Sequence, residues 1–146
     1  MFRGTPNLTF TRPLMPDLNL NNVLARKAEA DRLINRTARD LRDSLQRAVQ
    51  QLVPFPYFPE SGVQAIEAAP GTAAHPDIGC IVLCPDGDLH ELTVAVDFNA
   101  EFGGGDKRED LREVQLRPQD YIAYAFNALL EVTRLIVERE EGKPKR

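Results

Sequence analysis

Between Leu20 and Val53 the chain runs without a proline or a glycine, and its apolar residues recur at helical spacing. Ile34, Ala38, Leu41, Leu45, Ala48 and Leu52 follow in steps of four and three, which keeps them on one face of a 3.6-residue helix. A single long amphipathic helix over 20–53 is therefore expected. Asn19, Asn21 and Asn22 stand where an N-cap belongs, and Pro54 disfavours helix at the residue before it. The apolar stripe is not that of a coiled coil. Its flanking positions (Asn35, Arg42 and Val49 on one side, Thr37, Ser44 and Gln51 on the other) lack the opposed charges that choose a partner helix. The half after Asp31 reads as a core helix on a sheet, and the half before it as more exposed.

Charge is spread unevenly. The helix carries seven basic and four acidic residues, net +3, while the whole chain is −4. Arg32, Arg36 and Arg39 fall at i, i+4 and i+7, roughly opposite the apolar stripe. A solvated face with pairs such as Asp43–Arg47 is one reading, and a surface for an acidic partner is the other. The overall negative charge argues against nonspecific nucleic-acid binding, which needs a large basic surface.

Residues 1–18 read as an extended arm in which Leu8–Thr11 resembles a short strand and Pro13 and Pro16 block regular structure. Pro54 to Pro59 alternates proline with Phe55, Tyr57 and Phe58, so an extended segment is expected. Its aromatics either plug the core edge or line a docking groove. Strands are expected within 62–116: Val63–Ala68, Ile78–Cys84, Leu89–Asn99 and Leu111–Leu116. Pro85-Asp86-Gly87-Asp88 reads as a tight turn, with glycine taking the positive φ of a bulged hairpin. If Cys84 opposes Asp88, then Cys80 and Val82 oppose Leu92 and His90. Residues 70–76 form a breaker-rich loop, and a flexible loop centred on Gly103–Gly105 extends through Asp110. Pro118 suits the first position of a second helix over 118–140, with Asp120 in its first turn and Gly142 as its stop. That helix is apolar over more than one stripe. A basic tail follows at 141–146.

No serine elbow, phosphate loop or dinucleotide fingerprint is present. His75, Cys80, Cys84 and His90 are zinc-type side chains within sixteen residues. Two cysteines four apart in a strand stand about 13 Å apart, too far to bridge each other or share one ion. They read as buried, reduced thiols. Asp97, Asn99 and Glu101 imitate the start of a calcium loop, but Phe102 and Arg108 occupy the glycine and glutamate positions it requires. His90 reads as a structural histidine. No cofactor or metal is called for, no apolar run approaches the ~20 residues of a membrane span, and the N-terminus has no secretory h-region.

The expectation is a single α+β domain: an antiparallel sheet of three to four strands with a long N-terminal helix and a C-terminal helix packed on one face. Its order is shared by unrelated interaction folds and carries no function by itself. The leading functional expectation is a non-enzymatic, cytoplasmic interaction protein, an adaptor or chaperone-like homodimer. It would bind an acidic protein partner through Arg32, Arg36, Arg39, Phe55, Tyr57 and Phe58. Two alternatives stand beside it: a small-molecule-binding domain or enzyme with a pocket between helix and sheet near His90, closed by the glycine loop, and a nucleic-acid accessory protein using the arginine face.

Overall fold

A computed structural model describes residues 19–68, 79–97 and 106–142. The chain divides into two compact units, Met1–Ile34 and Asn35–Arg146. Helix α1, Leu20–Val49, begins in the first and ends in the second.

In the first unit the described residues are helical from Leu20 onward. The Asn19 side-chain oxygen accepts a hydrogen bond from the Asn21 N–H at 3.0 Å, so Asn19 is the N-cap that the sequence offered. Lys27 and Asp31 pair across one turn at 2.7 Å. Leu20, Val23, Leu24 and Leu33 are all exposed.

The second unit holds the sheet. Strands β1 (Ile66–Glu67), β2 (Cys80–Leu83), β3 (Leu89–Asp97) and β4 (Asp106–Glu113) form one antiparallel sheet in chain order. Helix α2, Pro118–Glu141, closes the unit. The α+β fold and the β2–β3 register match expectation, with Cys80 opposite Leu92 and Val82 opposite His90.

Strand β2 is buried on both faces, as its unbroken apolar run implied. On one face Ile81 and Leu83 join Ile66 and Leu89 beneath the helices. Leu45, Val49 and Leu52 come from the α1 side, and Tyr121, Tyr124, Ala125, Ala128 and Val132 from α2. On the other face Val82, Cys84 and Leu92 pack with Ala65, under Phe58 and Val63. The alternating apolar face of β3 therefore meets the 58–65 segment, while the helices meet its opposite face. Glu109 of β4 holds that segment, its carboxylate accepting from the Gly62 N–H at 3.2 Å.

Several boundaries differ from the sequence reading, among them β2, which is Cys80–Leu83 rather than Ile78–Cys84. Helix α1 ends at Val49, not Val53, because the Pro54 ring would clash with the Gln50 carbonyl in a continued helix. Leu52 reaches the core through a turn instead, its N–H donating to the Val49 carbonyl. Strand β1 is only two residues long, extended by an isolated bridge between Tyr57 and Gln64. Strand β4 begins at Asp106, within the expected flexible loop, and ends before Val114. Its charged residues carry no apolar alternation, and eight paired positions along β3 supply the ladder that holds it. The expected loop at 70–76, the arm, Gly103–Gly105 and residues 143–146 of the tail lie outside the described residues, while Glu141 ends α2 and Gly142 is its C-cap.

The β2–β3 turn docks onto α1 by its backbone. Gly87 has φ of +84°, and a Cβ there would come within 2.8 Å of the Gln46 Cα. Glycine is needed twice over, for conformation and for approach. Gly87→Ala should lower stability by at least the ~1–2 kcal/mol of a left-handed non-glycine residue, and more because the helix must shift. Chemical denaturation measures this; a change within a few tenths of wild type would show that the turn is not pressed against α1.

Candidate functional site

Beside that docked turn lies an open cleft of about 810 Å³, contained within the second unit. Helix α1 contributes Arg39, Arg42 and Gln46, whose spacing places them along one face. The turn and the start of β3 contribute Asp86, Asp88, Leu89 and His90, while Glu113, Val114 and Leu116 come from the end of β4 and beyond. Pro118 and Tyr121 complete it from the first turns of α2. His90 and Glu113 are register partners, so the ladder itself brings imidazole and carboxylate to the same place.

Asp86 has two tasks. One carboxylate oxygen accepts from the Asp88 N–H at 2.9 Å and shapes the turn, and the other lies 3.0 Å from His90 Nε2. The His90 side chain is only 15% exposed, so this contact holds the ring in place. The Arg42 guanidinium sits 5.0 Å from the centre of the Tyr121 ring, a cation–π arrangement. Tyr121 is 7% exposed, and its hydroxyl is buried without a hydrogen-bond partner. Burial pushes its phenol above the usual range, with the Arg42 guanidinium opposing that shift.

The residues singled out from sequence are dispersed. Arg39 lines the cleft, while Arg32 and Arg36 stand exposed on α1 outside its lining. Phe55 is buried in the helix-side core, and Phe58 is half-buried against the opposite face of the sheet. Tyr57 is exposed and borders a second groove of about 570 Å³, with Pro56, Pro59 and Leu130. Arg42, Glu113 and Tyr121 were not singled out. Arg42 had a usable signal, one turn beyond Arg39, whereas Tyr121 is indistinguishable from core within an apolar helix.

Among the described residues no group of three or more His, Cys, Asp and Glu side chains is placed to hold a metal, and no helix is long and apolar enough to cross a membrane. His75 lies outside the described residues. Comparison with protein-family models, with curated proteins and with solved structures finds no match to this chain.

Both cysteines are free thiols. Burial, with Glu67 adding to it, pushes Cys80 up to about 11. Burial first, then Asp86 and Asp88, pushes Cys84 up to about 12. Both protons are held more tightly in the folded state than the ordinary value of 9.0 implies. This stabilisation is complete below pH 9 and is lost as pH climbs through the two raised values. At pH 8 only about one Cys80 in a thousand is thiolate, so native protein should react with a disulfide reagent far more slowly than unfolded protein. Cys84 is buried as expected while Cys80 is only half-buried, and equal rates for native and unfolded protein would overturn this shielding.

Proposed function

We propose that this chain is a non-enzymatic interaction protein, an adaptor or chaperone-like homodimer whose α1 arginines engage an acidic protein partner. The observation that carries this reading is the second face of α2. Tyr121, Tyr124, Ala125, Ala128 and Val132 bury one side of the helix. Phe126 and Leu130 are each 54% exposed, and Val137 is 47% exposed. At ~100° per residue these three fall within a narrow stripe about half a turn from the buried side. An apolar stripe in water stabilises association, and the simplest closed arrangement is a two-fold pair of identical helices. Arg134, paired with Glu131 and Glu138, borders the stripe with the polar rim such contacts have.

The partner side of the proposal rests on α1. Arg32, Arg36 and Arg39 are exposed along it, and guanidiniums offer planar forks to carboxylates. A cytoplasmic setting suits two thiols that stay reduced.

Light scattering at concentrations on the order of tens of micromolar should give a dimer, and Phe126→Glu with Leu130→Glu should give a folded monomer. A monomeric wild type would overturn the dimer. Replacing Arg32, Arg36 and Arg39 together by glutamine should barely shift the melting temperature, since exposed pairs contribute about 0–1 kcal/mol each. It should weaken partner capture and flatten its salt dependence. Marked loss of stability with unchanged capture would instead assign these arginines to the fold or the dimer.

A further inference from the structure

The cleft beside α1 holds charges of both signs that do not neutralise one another. Arg39 and Arg42 come from α1, Asp86 and Asp88 from the β2–β3 turn, and Glu113 from the end of β4. Within this group the ion pair is His90 with Asp86. Arg39, Arg42, Asp88 and Glu113 form no salt bridge among the described residues.

Tyr121 lines the same space, and its ring lies 5.0 Å from the Arg42 guanidinium, a contact that holds this charge at the cleft.

The charges narrow the ligand class. Leaving aside Asp86, which His90 holds, two guanidiniums stand beside two carboxylates, a balance that offers no excess positive charge to a phosphate dianion. A wholly apolar molecule would strip water from five charges and return nothing. A molecule bearing one carboxylate and two ammonium groups complements the set in both number and sign.

We infer that this cleft binds a small zwitterion of net positive charge, a basic amino acid or a basic dipeptide. Its carboxylate lies on Arg39 and Arg42, and its ammonium groups lie on Asp88 and Glu113. Guanidinium and carboxylate match in planar, bidentate fashion. Leu89, Val114 and Leu116 in the lining offer apolar surface to an aliphatic side-chain stem. The volume of about 810 Å³ falls among small-molecule sites and accommodates two residues as readily as one. The site goes beyond the proposed dimer and shares with the partner surface only Arg39.

Calorimetry on the full chain at low salt, with L-lysine and with glycyl-L-lysine as probes, tests this directly. At least one should bind saturably, one per chain, and the tighter of the two identifies free amino acid or peptide as the source. Amidating the probe's carboxylate, or introducing Arg42→Gln or Glu113→Gln, should each weaken binding about tenfold. Light scattering on the two variants should match wild type, separating failure of this site from failure of the dimer. Inorganic phosphate should not bind. Saturation by phosphate alone, no saturation by either lysine probe up to about 10 mM, or full binding by the Arg42 and Glu113 variants would each overturn the assignment.

Discussion

The backbone of the β2–β3 turn presses on α1 at Gln46, and much of the second unit is positioned by that contact. A side chain at Gly87 would hold helix and hairpin apart. Without one, Leu45 of α1 and Leu83 and Leu89 of the hairpin enter one core, together with Tyr121 and Tyr124 of α2. The same approach carries Asp86, Asp88 and His90 alongside Arg42. Core and cleft are thus two results of one close packing. The turn is held in that shape locally, since the Gly87 N–H donates to the Cys84 carbonyl and the Asp88 N–H to the Asp86 carboxylate.

Sequence reading succeeded where local chemistry and burial agree. The second half of α1 is visible because Leu41, Leu45 and Ala48 keep a helical period that the core uses. The β2–β3 register is visible because Pro85 and Gly87 fix the turn, and a fixed turn fixes every pair beyond it. Strand β4 was partly missed for the opposite reason. Arg108, Glu109, Asp110 and Arg112 show no alternation, and what makes them a strand is the hydrogen-bonding edge of β3, a tertiary fact. The end of α1 lay in plain view at Pro54, but the number of residues it displaces depends on how Leu52 reaches the core.

A pocket between helix and sheet near His90 was among the alternatives read from sequence, but the lining of the cleft was legible in only one corner. His90 was placed at the turn end of β3, and Arg39 was picked out, but as part of a solvated arginine face. Glu113, Arg42 and Tyr121 stand far apart in the chain and converge through a ladder pairing and two helix dockings. No spacing rule joins them. The aromatic run had the reverse fate. Phe55, Tyr57 and Phe58 are near neighbours in sequence, yet one is in the helix-side core, one is exposed and one packs under the sheet. An extended segment turns successive side chains in different directions, so proximity in sequence did not make them one surface.

Strand β4 ends the described order of the sheet, and its described side chains are almost all charged. A strand border invites further strands, and the charged side chains along this one make such recruitment costly. Leu111 is the one apolar side chain described there. At this border the sheet therefore resists growth by strand addition, the route by which small β-containing proteins turn into fibres.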